Sequence, residues 1–142
     1  MEQNELALTL RQESKSAMIH GILSQAIPAV IAAVAGILYA VSVFSLVIRA
    51  GFQINDPKPI LNSAMLLMLA LIVAGIPGIV FGFVGWMRSS RVAKKARANG
   101  LRRPPMSIVG LILGISGFAA GIVISLMGTI EAILFSMLRS ML

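Results

Sequence analysis

The chain has 142 residues, of which 58% are hydrophobic and only 12% charged, and its mean hydropathy is +0.94. A soluble domain of this length does not need so apolar a composition, which excludes an ordinary soluble globular protein and indicates a chain that requires lipid. Its 12 Lys and Arg outnumber its five Asp and Glu, giving a net charge of +7.

Three stretches contain no charged residue, at positions 16–48, 59–87 and 104–130. Each is longer than the roughly 20 helical residues that cross a hydrocarbon core of about 30 Å. Helices and closed barrels are the structures that satisfy their backbone in lipid, and the period-two alternation of a barrel strand is absent here. The sequence predicts an all-α integral membrane protein with three transmembrane helices in a single domain.

Turn-forming residues and prolines set the predicted boundaries. Asn55, Asp56 and Pro57 favour a turn, and Pro104 followed by Pro105 prevents a helix from continuing from upstream. The predicted segments are an N-terminal segment at 1–23, a first transmembrane helix at 24–49, an outer loop at 50–62, a second transmembrane helix at 63–87, a basic loop at 88–105, a third transmembrane helix at 106–128 and an amphipathic tail at 129–142.

The whole net charge of +7 falls between the second and third predicted helices. It is carried by Arg88, Arg91, Lys94, Lys95, Arg97, Arg102 and Arg103. Basic residues of short loops stay on the cytoplasmic side of a cell membrane during insertion, so we expect the N-terminus and the 88–105 loop inside and the C-terminus outside. The loop has no aromatic residue to stack on bases, which argues against nucleic acid. The seven cations are either a topology signal alone or also contacts for anionic lipid headgroups or an acidic partner surface.

Small residues predict how the helices pack, because helices in lipid associate through close backbone contact. Glycines at steps of three and four lie on one helix face. The predicted helix-packing residues are Gly75, Gly78, Gly82 and Gly85 of the second helix and Gly110, Gly114, Gly117 and Gly121 of the third. Two such faces predict a hairpin of the second and third helices, with an oligomerisation face as the alternative. A weaker small face is expected on the first helix at Ala29, Ala32, Ala33 and Gly36.

Beyond Gly128 the apolar residues follow a helical spacing. The residues of this stripe are Ile130, Ile133, Leu134, Met137, Leu138 and Met141. A third helix that continued through them would be about 55 Å long and would outrun the hydrocarbon core. The segment lacks the lysine-rich polar face common on membrane-surface helices, so we expect the stripe to contact a protein partner.

Residues capable of catalysis are few. The chain has no cysteine and one histidine, His20, and its five carboxylates are spread along the sequence. We therefore predict no catalytic, cofactor or metal site and no enzymatic activity. His20 and Glu131 are expected to be residues of the two membrane interfaces.

One part of the sequence resembles a known family. From Ile76 to Ile115 it reads IPGIVFGFVGWMRSSRVAKKARANGLRRPPMSIVGLILGI. A glycine-rich helix containing Gly82 and Gly85, a basic segment, and a second glycine-rich helix containing Gly110 and Gly114 follow in the order typical of a small actinobacterial membrane domain of unknown function. The resemblance covers about a third of the chain and implies an actinobacterial cell membrane and a helical hairpin.

Packing faces without catalytic groups favour a non-enzymatic accessory or scaffold subunit of a larger bacterial membrane complex, such as a respiratory or secretion assembly. The expected partners are the lipid bilayer, including anionic lipid, and other integral membrane subunits. The alternative is a small homo-oligomeric pore or transporter component, for which the predicted helices offer few polar residues.

The predicted orientation can be tested by cysteine labelling, because the native chain has no cysteine. A single cysteine at Ser89 or Asn99 should react in intact cells only with membrane-permeant reagents, and one at Asn55 should also react with impermeant reagents. The opposite labelling pattern would overturn the orientation.

Overall fold

A computed structural model of the protein describes residues 2–49 and 58–140, and all of these except 99–104 are helical. The three helices are α1, Glu2–Arg49, α2, Lys58–Ala98, and α3, Pro105–Ser140. Each is long and apolar enough to cross a membrane. The predicted fold class, all-α with three such helices, is confirmed. Residues 50–57 of the predicted outer loop lie outside the described residues, and 58–62 belong to α2.

The basic segment predicted as a loop at 88–105 is helical as far as Ala98, so that prediction is wrong over 88–98. No proline or glycine interrupts this stretch, and Ala, Lys and Arg are among the best helix formers. The connection between α2 and α3 is therefore a six-residue turn, 99–104.

Gly100 ends α2, in the left-handed conformation with φ 65°. The Leu101 N–H donates to the Ala96 carbonyl (2.9 Å) and the Gly100 N–H to the Arg97 carbonyl (3.2 Å). This pair of bonds is the Schellman motif, which favours glycine because it has no Cβ to clash at positive φ. Leu101 then packs on the apolar cluster around Ala96, as the motif usually requires.

The two predicted terminal segments are continuous with their helices. The N-terminal segment at 1–23 and the first transmembrane helix form one helix, α1, of 48 residues or about 72 Å. The tail at 129–140 continues α3, so that α3 has 36 residues and is about 54 Å long. Residues 141 and 142 lie outside the described residues.

The three helices form one bundle in which every pair is in contact. Its buried positions are mostly small and form one packing stripe on each helix, with alternating steps of three and four except that Ala74 directly precedes Gly75 and that Gly121 and Gly128 are seven residues apart. They are Leu10, Ser14, Ala17, Gly21, Ser24 and Pro28 of α1, Ala74, Gly75, Gly78, Gly82, Gly85, Ser89, Val92 and Ala96 of α2, and Ser107, Gly110, Gly114, Gly117, Gly121 and Gly128 of α3. A mean step of 3.5 residues is the spacing of left-handed helix packing.

The packing stripes bring backbones into direct contact. A Cβ added at Gly82 would lie 2.7 Å from the Gly114 carbonyl oxygen, and one at Gly121 would lie 2.7 Å from the Gly75 carbonyl oxygen. On the α1 side, a Cβ at Gly110 would lie 2.9 Å from the Ala17 carbonyl carbon. Glycine is therefore the residue that permits this helix separation.

The small face expected on the first helix is not the one that packs. Ala29 and Ala33 are exposed, and a Cβ added at Gly36 would meet no described atom within 4 Å. The bundle instead uses a different face of α1, with Ser14, Ala17, Gly21 and Ser24. Serine fits between helices because its hydroxyl bonds locally: Ser24 Oγ donates to the Gly21 carbonyl at 2.6 Å.

Two glycine-to-alanine variants should change stability in opposite directions. Gly82→Ala places a methyl group against the α3 backbone and should lower the free energy of unfolding by about 1–3 kcal/mol. Gly36→Ala meets open space and gains helix propensity, so it should raise that free energy by about 0.5–1 kcal/mol. Thermal unfolding in detergent, followed by circular dichroism, measures both. Equal shifts in the two variants would contradict the backbone-contact explanation.

Candidate interaction surfaces

One end of the bundle holds nine of the twelve Lys and Arg residues, because the start of α1 lies beside the end of α2. Lys95 Nζ donates to Glu13 Oε1 at 2.6 Å, and the Arg88 guanidinium donates to Ser16 Oγ. Beneath these contacts Leu10, Val92 and Ala96 form a small apolar cluster. This basic end is thus a packed helical structure.

The seven predicted headgroup or partner contacts do not form one patch. Arg88 and Lys95 face α1 through the contacts above. Arg91, Lys94 and Arg97 are exposed on other faces of α2. The remaining two, Arg102 and Arg103, lie beyond the Gly100 turn and border a groove that α1 completes with Arg11 and Lys15. Arg11 and Lys15 are not among the predicted contact residues, although their spacing of four residues puts them on one helix face.

Arg103 has a structural role at the start of α3. Its Nε donates to Ser107 Oγ at 2.8 Å, and its Nη2 donates to the Ser107 carbonyl at 3.3 Å. The side chain is therefore held along the first turn of α3. Arg102, the preceding residue, is exposed.

Ser89 is fully buried within the basic segment. A Cβ on Gly110 would lie 3.0 Å from its Oγ, and the Oγ has no hydrogen-bond partner among the described residues. A cysteine at this position would be shielded from labelling reagents by α3, so the labelling predicted for Ser89 is corrected: no reaction is expected there. Asn99, which is exposed, is the accessible labelling position at this end.

All eight predicted helix-packing glycines are buried, and they divide between two interfaces. Gly75, Gly78, Gly82, Gly114 and Gly121 lie where α2 and α3 meet. Gly85 and Gly117 face α1, against Gly21 and Ser24 respectively, and Gly110 faces both Ala17 of α1 and Ser89 of α2. The glycines of α2 and α3 that form the hairpin therefore also contact α1.

A second stripe of small residues on α1 faces away from the bundle. It has the same steps of three and four as the packing stripes, and four of its five members are exposed. Its members are Ala26, Ala29, Ala33, Gly36 and Ala40. We call this surface the uncovered stripe. In the described part of the chain, none of residues 29–49 is buried.

Gln25 stands at the edge of the uncovered stripe. Its Nε2 donates to Ser116 Oγ of α3 at 2.6 Å, and the side chain is exposed. It lies ten residues beyond Lys15, or about 15 Å along the helix, a distance equal to half the thickness of a hydrocarbon core of about 30 Å. Gln25 is not among the predicted site residues; the signal in the sequence is an amide side chain inside a predicted transmembrane segment.

The predicted partner-contact stripe of α3 is exposed where it is described. Ile130, Ile133, Leu134 and Met137 are each 56–62% exposed. The side chain of Leu138 and the whole of Met141 lie outside the described residues. Glu131, on the same turn as Leu134, is also exposed.

His20 lies between the basic end and the middle of α1. Its Nδ1 is 2.7 Å from the Ser16 carbonyl oxygen, and its ring centroid is 6.1 Å from that of Phe81 on α2. Within residues 2–49 and 58–140, no group of three or more acidic or histidine side chains is arranged to hold a metal ion.

Comparisons with protein-family models, curated proteins and solved structures find no match to this chain. The resemblance to the actinobacterial membrane domain accordingly stays a prediction.

The two adjacent arginines of the turn should differ in their effect on stability. Arg103→Gln removes two charge-assisted hydrogen bonds to Ser107 and should lower the free energy of unfolding by about 1 kcal/mol. Arg102→Gln removes an exposed charge and should change it by less than about 0.5 kcal/mol. Thermal unfolding of the two variants provides the measurement, and equal effects would contradict the structural role of Arg103.

Proposed function

We propose that the protein is a non-enzymatic accessory subunit of a bacterial membrane complex and that it binds a transmembrane helix of another subunit on the uncovered stripe of α1. The observation that carries this proposal is the stripe itself. Its spacing matches that of the three packing stripes, yet no helix of the described bundle covers it. A partner helix could approach the α1 backbone there as closely as α3 approaches it at Gly21.

Gln25 supports a protein occupant for this face. One of its amide hydrogens bonds Ser116, while an amide can donate two hydrogen bonds and accept two more. A hydrogen-bond donor or acceptor without a partner is unfavourable in hydrocarbon, and transmembrane helices commonly supply the partner from a neighbouring helix. The partner helix should therefore present small residues together with a hydroxyl or amide at the level of Gln25.

The length of α1 also supports the proposal. The helix extends 34 residues from Lys15 to Arg49 without an intervening formal charge, or about 51 Å. Even at a tilt of about 40°, the upper end of the usual range, this stretch would be about 39 Å high, which exceeds the hydrocarbon core by about 9 Å. Neighbouring protein would cover the surplus apolar surface, which includes Leu38, Val41 and Phe44.

The exposed stripe of α3 is a second surface for the same complex. It lies at the same end of the bundle as the unburied half of α1, because α1 and α3 run in the same direction. A partner large enough to bind both would cover Ile130, Ile133 and Leu134 as well as the uncovered stripe.

The second candidate function is a homo-oligomeric pore, in which another copy of the chain occupies the uncovered stripe. Gln25 is the observation that favours it, since two copies could bond amide to amide. The number of copies in the native assembly distinguishes the two candidates.

Gly36→Leu should abolish partner binding without unfolding the bundle. The leucine would block the uncovered stripe, whereas a Cβ at this position meets no described atom within 4 Å. Val34→Leu is the matched control, because Val34 is exposed on another face of the same helix. The measurement is mass spectrometry of the native complex in mild detergent, which gives the identity and copy number of whatever co-purifies.

The accessory-subunit proposal requires a different membrane protein, bound by the native chain and by Val34→Leu but lost from Gly36→Leu. A native chain that purifies without any other protein would contradict the proposal. A chain that associates only with copies of itself would support the homo-oligomeric pore. A partner retained by Gly36→Leu would exclude the uncovered stripe as the contact. Truncation after Thr129 should weaken binding if the α3 stripe contributes.

A further inference from the structure

A groove of about 1230 Å³ lies at the basic end, between the first turns of α1 and the segment that leads into α3. Its lining is basic and apolar apart from the neutral polar residues Gln12 and Ser14, and it includes no acidic residue among those described. Four cations border it, Arg11 and Lys15 from α1 and Arg102 and Arg103 from the turn. The acidic Glu13 of α1 is engaged with Lys95 outside this groove.

The wall of the groove is apolar on the side of α3. Met106 and Ile108 line it and are 39% and 44% exposed, and Leu8 of α1, 65% exposed, also lines it. Met106 follows Pro105, the residue at which α3 and its long uncharged stretch begin. The groove is therefore bordered both by cations and by apolar residues at the start of the long uncharged stretch of α3.

The first turn of α3 strengthens the positive potential of this groove. The turn has no acidic residue, and the N-terminus of a helix carries a partial positive charge. Arg103 is fixed there by its bonds to Ser107, while Arg11, Lys15 and Arg102 are exposed. Three accessible cations and one anchored cation thus surround a single opening.

We propose that this groove binds one anionic phospholipid, with the phosphodiester among Arg11, Lys15, Arg102 and Arg103 and an acyl chain along Met106 and Ile108. The cations of the groove favour an anionic ligand, and the apolar residues beside them favour a ligand that also has a hydrocarbon chain. A soluble acidic peptide or nucleotide would leave Leu8, Met106 and Ile108 in water. This proposal is independent of the proposed function and uses the opposite end of α1.

The test uses two double variants with the same change in net charge. Arg11→Gln with Arg102→Gln removes two exposed cations from the groove. Arg91→Gln with Lys94→Gln removes two exposed cations of α2 that do not line it; Lys94 borders a separate, smaller groove of about 460 Å³. All four residues are exposed, so both variants should fold, which circular dichroism verifies.

Native mass spectrometry of the full chain, mixed with equal amounts of phosphatidylglycerol and phosphatidylcholine, counts the bound lipids. We expect the native protein to retain one phosphatidylglycerol preferentially. A cation near a membrane surface contributes about fivefold in affinity for anionic lipid, so the groove variant should lose about 25-fold and the control variant less than about twofold.

Equal losses in the two variants would show a general charge effect and overturn the proposal, as would equal retention of the two lipids by the native protein. Glycerophosphoglycerol, which has the headgroup without acyl chains, should not displace the lipid. Displacement by that compound would assign the groove to a soluble phosphodiester, and displacement by polyglutamate would assign it to an acidic protein segment. Either result would exclude the phospholipid.

Discussion

The structure depends on direct contact between helix backbones. Apolar side chains gain little by leaving lipid for a protein interior, so association in a membrane relies on packing and on hydrogen bonds across the interface. This chain supplies both, with glycines where Gly82 meets Gly114 and a hydroxyl where Ser24 of α1 also donates to the Leu113 carbonyl of α3 at 3.3 Å. The large apolar side chains consequently point outward and are exposed on the surface of the described bundle.

The parts of the fold that follow from chain-wide properties could be predicted from sequence. Uncharged length identifies the three helices, and the repeated glycines identify the faces of α2 and α3 that meet. The predicted second helix ends where the basic residues begin, whereas helix propensity and the glycine at position 100 decide where α2 stops. Residues 88–98 continue α2 beyond its uncharged stretch without a break in the helix.

The surfaces of α1 were harder to predict because two faces carry small residues at the same spacing. Sequence alone gives no reason to prefer Ala29 and Gly36, or Ala17 and Gly21, as the side that packs. The neighbouring helices decide which face of α1 packs. Leu113 of α3 lies against Gly21, and the apolar cluster of Leu10 with Val92 and Ala96 fixes the rotation of α1 at the basic end. The groove could not be predicted at all, since it requires residues 7–15 and 101–108 to be neighbours in space.

The division of the hairpin glycines between two interfaces has a consequence for biosynthesis. Because α1 precedes α2 and α3 in the chain, it is synthesised first, and both of its small-residue faces are uncovered until the other helices follow. When α2 and α3 have paired around the Gly100 turn, Gly85, Gly110 and Gly117 contact one of those faces and cover it. Until the hairpin forms, the α1 backbone is therefore open to close helix contact on two faces, whereas in the finished bundle only the uncovered stripe stays open.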